Sequence, residues 1–360
     1  MKIQEVTLHQ ASLPLRKPYQ VSFRTYTELE PILVEMRDKD GNVGWGEAYI
    51  PTGASFETTE SGWIFCREYA EKVLGKATAE AKAMLDQAVP TAPYAATAML
   101  SAIALLERHP ILKTQKEKRI PLLVPMSGTG RQEIGEGVER LLQEGYRTFK
   151  IKVGRDLDAD LKRVAMVQDA AHERATITID ANRAYTQEQG CTFASSLDPK
   201  GIDLFEQPCE ADAWDANAAV AKVSKVPLML DESIDTIHDV ERAATIEGVK
   251  LVKLKLKRVG GIDRALALIR RAQELGLNIC LGDGVASELM CWIEASVGRD
   301  FLRRAGDMNG FLKAKTGLFS EPLPFEKGAI VLKPDFWPTI DRAKLDSHEV
   351  RKERFAPVAA

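Results

Sequence analysis

Residues 148–152 read Thr-Phe-Lys-Ile-Lys, a short run in which apolar and polar side chains alternate and the last residue is charged. Alternation with a period of two marks a half-buried strand. Similar short β-branched or apolar runs recur: TITID at 176–180, IDLFE at 202–206, PLMLD at 227–231, LVKLK at 251–255 and NICLG at 278–282. The stretch before Asp307 repeats the form less clearly. The charged residues at or just beyond these runs are Lys152, Asp180, Glu206, Asp231, Lys255, Asp283 and Asp307, at steps of 28, 26, 25, 24, 28 and 24 residues. A helix-like stretch follows most of them. One strand, one helix and two loops occupy about this length, so the rhythm predicts a parallel β/α barrel. Barrels of this kind carry their chemistry at the C-terminal ends of the strands. Two lysines and several carboxylates are thereby predicted to share one pocket, a constellation suited to metal-assisted proton chemistry.

Upstream, residues 2–14 read as a strand. Residues 31–37 and 43–48 flank Asp38-Lys39-Asp40-Gly41-Asn42, a hairpin turn signal. Residues 17–30, polar and aromatic, read as a mobile loop carrying Tyr19, Phe23 and Tyr26. Residues 56–75 and 91–108 have helical spacing. These parts make a small α+β domain over residues 1–115. The barrel is expected over 116–322, beginning with IPLLV at 120–124, whose end carries Ser127 and Gly128 in place of a charge. The tail, 323–360, holds a strand-like AIVL at 329–332 and is expected to pack back on the first domain.

The chain has 360 residues, 45% hydrophobic and 28% charged, with a net charge of −3. That balance gives no electrostatic reason to bind nucleic acid or an anionic membrane. Cys66, Cys191, Cys209, Cys280 and Cys291 are an odd number without CxxC spacing. They read as free thiols in a reducing compartment rather than a zinc site or disulfide frame. The first residues lack the apolar core of a signal peptide, and no apolar run is long enough to span a bilayer. A cytoplasmic enzyme is the class expected.

Lys150 and Lys152 share one side of their strand. A like charge nearby and partial burial both disfavour the charged form of a lysine, and can bring its pKa to about 7–8. The plainer alternative is a solvated strand end. Asp180, Glu206 and Asp231 end three successive strands and would repel one another without a cation between them. Hard oxygen ligands suit Mg²⁺. Singly, each could be a helix cap. Asn182 lies two residues beyond Asp180 and could reach the same site. Glu232 reads as a hydrogen-bonding partner that orients a ligand or a lysine, with capping as the alternative for both. Lys253 shares the parity of Lys255, and Lys257 lies beyond it. Gly260-Gly261 carries only a weak suggestion of a phosphate cradle.

FKIKVG (149–154), IDANRAY (179–185), LFEQP (204–208), LDES (230–233) and KLKRVGG (255–261), with GWGEA at 44–48, together resemble the muconate lactonizing enzyme subgroup of the enolase superfamily. The resemblance implies a (β/α)₇β TIM-like barrel with an α+β N-terminal capping domain. It implies one Mg²⁺ per subunit, with Mn²⁺ as a substitute, held by Asp180, Glu206 and Asp231. Lys152 and Lys255 would be the acid/base pair, with Lys150 tuning Lys152. A substrate carboxylate on the metal would favour an enediolate when the α-proton leaves, as in the enolase-superfamily sites that pair a lysine or histidine base with Mg²⁺. A homo-oligomer acting on a small-molecule carboxylate is also implied.

Two segments depart from the subgroup pattern. After the seventh strand the usual glutamate position is Ala286, and Asp283 adds a charge. At the eighth strand, the Asp-x-Asp of many dipeptide epimerases is Asp307-Met308-Asn309. Asp283, Asp307 and Asn309, with Tyr19, Phe23 and Tyr26, are the candidate substrate contacts; pairing of an aspartate with Arg303 or Arg304 is the alternative. The reaction expected is racemisation or epimerisation of an amino-acid-like or N-substituted amino acid. The alternatives are a cycloisomerase, dehydratase or o-succinylbenzoate synthase-type lyase, and a non-catalytic binding barrel. The last would have no use for so costly a cluster of charges.

Overall fold

The structure is a computed structural model that describes residues 1–20, 25–51, 55–282 and 284–357. Five strands open the chain: β1 Ile3–Ala11, β2 Leu13–Gln20, β3 Thr25–Leu29, β4 Ile32–Asp38 and β5 Val43–Ala48. The stretch read as a mobile loop is therefore largely the β2–β3 hairpin, in which Tyr19 pairs with Tyr26. Asp38 closes the β4–β5 turn by accepting the Asp40 and Asn42 amides, both at 2.9 Å. Helices α1 Thr59–Val73, α2 Thr78–Ala88 and α3 Pro93–Leu106 follow. Helix α3 is almost wholly buried, packed on β4 and β5 on one side and reaching the barrel on the other, where Thr97 Oγ1 lies 3.3 Å from Leu256 O. The glycines of GWGEA permit that approach. A Cβ on Gly46 would lie 1.8 Å from Ala98 O, and one on Gly44 would lie 2.0 Å from Ala102 O.

The parallel sheet runs β7 Val124–Pro125, β8 Thr148–Lys152, β9 Thr176–Asp180, β10 Ile202–Glu206, β11 Leu228–Leu230, β12 Val249–Leu254 and β13 Asn278–Leu281, in that spatial order. Between and beyond them lie α4 Arg131–Gln143, α5 Leu157–Ala171, α6 Gln187–Ser196, α7 Trp214–Val223, α8 Ile237–Ala244, α9 Leu256–Val259, α10 Ile262–Glu274 and α11 Glu288–Gly298. The sheet closes through Gly306 and Asp307. Gly306 N donates to Pro121 O, Leu123 N to Gly306 O, and Asp307 N to Leu281 O, at 2.8–2.9 Å. The weakly patterned stretch before Asp307 is thus the eighth staff of the barrel, reduced to two residues. Leu204, Met229, Leu251 and Cys280 form a separate buried apolar cluster, the first three on the same strand parity as Glu206, Asp231 and Lys253.

The run at 120–124 splits. Lys118–Pro121 is a short strand, β6, that pairs antiparallel with β15 Ala329–Leu332, itself paired with β14 Phe325–Glu326. The 329–332 strand therefore joins the start of the barrel. Beyond α12 Arg342–His348, it is β16 Glu349–Phe355 that pairs with β1 and extends the N-terminal sheet. All five cysteines are free thiols. Among the described residues no helix is long and apolar enough to cross a membrane.

Candidate active site

Strand parity delivers the charged ends to one place. Asp180, Glu206 and Asp231 are 0–1% exposed, Lys150 3% and Lys253 2%. Lys150 Nζ lies 2.8 Å from Asp180 Oδ2, 2.8 Å from Glu206 Oε2 and 3.0 Å from Asp307 Oδ2. Lys152 Nζ donates to Asp180 Oδ2 at 2.6 Å and to Asn182 Oδ1 at 2.5 Å. Lys255 Nζ donates to Asp231 Oδ2 at 2.9 Å. Three strands, β9 to β11, separate the strand of Lys152 from that of Lys255. The two lysines therefore flank the acidic row from either side. A cavity of about 40 Å³ opens among these groups and reaches Tyr19.

Loop geometry holds the row. Asn182, in the left-handed region at φ 43°, turns its amide onto Asp180 Oδ1 at 2.8 Å and sets Nδ2 3.3 Å from Glu232 Oε1. Gln207 is fully buried; its Oε1 accepts the Asp231 amide at 2.8 Å and its Nε2 donates to Ser233 Oγ at 2.8 Å. Gln207 is a scaffold residue that the motif LFEQP contained but sequence reasoning did not single out. Arg258 Nη1 lies 3.1 Å from Asp231 Oδ1.

The electrostatics differ from expectation at the lysines. Burial pulls Lys152 down most strongly and the like charge of Lys150 adds to it, but Asp180, with Tyr19 and Glu206, together hold its pKa above the usual lysine value. Burial also disfavours charge on Lys150 and Lys253, yet the carboxylates around them hold both well above it. Burial, then the charge of Asp180, pushes Glu206 up to about 7. Burial and Asp231 raise Glu232. Asp180, Asp231 and Asp307 are held low because their lysine partners outweigh burial. Lys152 can serve as a base only when the charge of Asp180 is taken up by another partner.

Divalent metal is the partner that the donor chemistry fits. The three strand ends offer hard anionic oxygens. Glu206 Oε2 and Asp231 Oδ1 are buried and accept no well-angled hydrogen bond, despite cations 2.8 and 3.1 Å away. Among the described residues no three His, Cys, Asp or Glu side chains enclose an ion's position; Lys150 Nζ lies 2.8 Å from both Asp180 Oδ2 and Glu206 Oε2.

The candidate substrate contacts are placed unequally. Tyr19 borders the cavity, and Lys313 Nζ lies 4.8 Å over its ring. Tyr26 is 3% exposed and packs edge-on against Tyr49. Phe23 and Asp283 lie outside the described residues. Asn309 is buried; its Nδ2 donates to Leu123 O and to Asp307 Oδ1, and its Oδ1 accepts from Lys313. Asp307 meets Lys150 and Lys253, while Arg304 pairs with Asp203. Lys257 turns away, donating to Val285 O at 3.0 Å.

Residues 133–335 match the family model described as Enolase C-terminal domain-like. The chain belongs to this family. Its enolase-superfamily relatives include an N-succinyl-L-Arg/Lys racemase of Bacillus cereus, 26% identical over 80% of this chain and 82% of the relative. An o-succinylbenzoate synthase of Geobacillus kaustophilus is 28% identical over 83% and 80%. The crystal structure of the Bacillus cereus racemase shares the fold with a TM-score of 0.90 at 24% identity, covering 99% of this chain and 100% of that one. A dipeptide epimerase from Cytophaga hutchinsonii, complexed with Mg and D-Ala-L-Val, does so with a TM-score of 0.88 at 21% identity, covering 98% and 100%. The enolase-superfamily barrel with an N-terminal antiparallel domain is therefore the architecture of this chain.

Proposed function

We propose that this protein is a metal-dependent racemase or epimerase that removes and returns the α-proton of an amino-acid-like or N-substituted amino acid carboxylate. The observation that carries the reading is the flanking of one acidic row by Lys152 and Lys255, each fastened to a different aspartate. Asp180, Glu206 and Asp231 would hold Mg²⁺, which supplies positive charge for a substrate carboxylate. Lys152, once released from Asp180, accepts the proton on one face of the α-carbon. Lys255 delivers a proton to the other face, and the roles exchange for the opposite enantiomer. Lys150 stays charged between Asp180 and Glu206 and fixes their orientation. Asn182 and Glu232 position Lys152 and Asp180. The N-terminal domain, residues 1–115, would cover the mouth with Tyr19 and exclude water.

The relatives support this reading: one is named as a racemase of N-succinylated Arg and Lys, and a structural neighbour binds Mg and a dipeptide. The lyase reading is supported by the o-succinylbenzoate synthase relative. Solvent deuterium exchange separates them. Lys152→Ala should still exchange the α-proton of one enantiomer and Lys255→Ala that of the other, while neither racemises. Loss of exchange with both enantiomers in both variants would favour the lyase. Unchanged turnover in both would remove the two lysines from the mechanism.

A further inference from the structure

Lys253 and Asp307 form a buried pair inside the barrel that the proton chemistry above does not use. Lys253 is 2% exposed and Asp307 5%. Lys253 Nζ donates to Asp307 Oδ2 at 2.6 Å, lies 3.0 Å from Glu206 Oε1 and stands 3.8 Å from Asp231 Oδ2. Asp307 is filled from both sides. Its Oδ2 also receives Lys150 at 3.0 Å, and its Oδ1 accepts Asn309 Nδ2 at 3.1 Å. A carboxylate so occupied has little capacity left for a substrate ammonium.

The position of Lys253 explains why it is there. It lies on the inward parity of β12, two residues before Lys255 and two after Leu251, which belongs to the apolar cluster of the interior. Its ammonium therefore forms the floor of the acidic row, between that cluster and the carboxylates. An unpaired ammonium at such depth would be costly; Asp307, brought in by the closing strand, neutralises it. The pair adds no net charge, but its cation is the member that touches the row, 3.0 Å from Glu206 Oε1 and 3.8 Å from Asp231 Oδ2.

We propose that Lys253 is a resident cation that weakens metal binding by Glu206 and Asp231, and that Asp307 is the positioning residue that holds it and offsets its charge. The inference rests on the assignment of Asp180, Glu206 and Asp231 as metal ligands. Two opposite effects follow. Removing Lys253 leaves the row more negative, so metal binds more tightly. Removing the charge of Asp307 leaves the lysines uncompensated, so metal binds more weakly. Removing both restores the balance. Changes to residues that support a metal's ligands alter affinity on the order of 10–100-fold.

The test is titration calorimetry of Mg²⁺ alone into the full chain, without substrate, with folding checked by circular dichroism. Expected are tighter binding in Lys253→Met, weaker binding in Asp307→Asn, and an affinity within about threefold of the unaltered protein in the double variant. A merely structural pair would weaken binding in both single variants; that result, or no change in either, overturns the proposal. If a single variant does not fold, the double variant decides: near-normal affinity supports the proposal, and lost affinity overturns it. If the unaltered protein binds no Mg²⁺, the ligand assignment falls and this inference falls with it. If it binds Mg²⁺ and loses it in Asp231→Asn, a failure in the Lys253 and Asp307 series belongs to this inference alone.

Discussion

Glu47, in the N-terminal domain, caps the barrel helix that begins after Ser287. Its carboxylate accepts the Ser287 amide at 2.7 Å, the Ser287 hydroxyl at 2.5 Å and the Met290 amide at 3.0 Å. The first two residues are 240 positions apart, so one buried side chain ties the N-terminal sheet to the segment after the seventh barrel strand. A carboxylate at a helix N-terminus satisfies orphan amides and meets the positive end of the helix dipole. Glu47→Ala should therefore lower stability by about 2–3 kcal/mol. Urea unfolding measures this, and an unchanged midpoint would refute the latch.

Metal dependence is checked directly. Exhaustive chelation should abolish turnover and Mg²⁺ should restore it. Asp231→Asn should weaken metal binding by at least roughly tenfold, since an amide replaces a charged ligand. Full activity after chelation would contradict the assignment.

The two tyrosines of the β2–β3 hairpin should behave differently. Tyr19 borders the cavity, so Tyr19→Ala should alter substrate preference with little change in the unfolding midpoint. Tyr26 is packed against Tyr49 in the core. Tyr26→Ala should destabilise the fold by about 3–5 kcal/mol, as for a large aromatic truncated in a core. The opposite pattern, with Tyr26 alone governing preference, would move the lid elsewhere.

Glu35 links acid stability to the C-terminal segment. Burial would raise its pKa, but His9 and Arg342, with Arg37 at 2.6 Å, outweigh it and bring it down to about 2. A carboxyl depressed on folding stabilises above its unfolded value of 4.5 and loses that contribution as pH falls through the folded one. Glu35→Gln should therefore be less stable than the unaltered protein at pH 7, on the order of 2–3 kcal/mol. The gap should narrow as pH falls from about 4.5 toward 2. A gap independent of pH would show that packing, not ionisation, makes the difference.

Much of the barrel was legible because its signals are local. TFKIK, TITID and IDLFE announce strands by period-two alternation, and their spacing leaves room for one helix between them. Parity alone brings Lys150, Lys152, Asp180 and Glu206 to one side. The KxK of Lys253 and Lys255 was visible too, but sequence parity could not say that Lys253 would be buried among carboxylates. The eighth strand was faint for a physical reason: Gly306 and Asp307 contribute two residues of pairing, too few for periodicity. Residues 329–332 had a strand's pattern but no sign of their partner.

The linear order of residues determined the strand ends, the acidic row and the lysines beside it, because inward parity and spacing are properties of neighbours in the chain. Partnership was decided only in three dimensions. Asp307 could have met Arg304, three residues before it; instead Arg304 reaches Asp203, and barrel closure brings Asp307 to Lys150 and Lys253. The state of Lys152 was likewise decided there. Two lysines in a row suggest a lowered pKa, but a carboxylate 2.6 Å from Lys152, supplied by the next strand, outweighs a like charge two residues away. Coulomb energy follows distance through space, and the fold sets that distance.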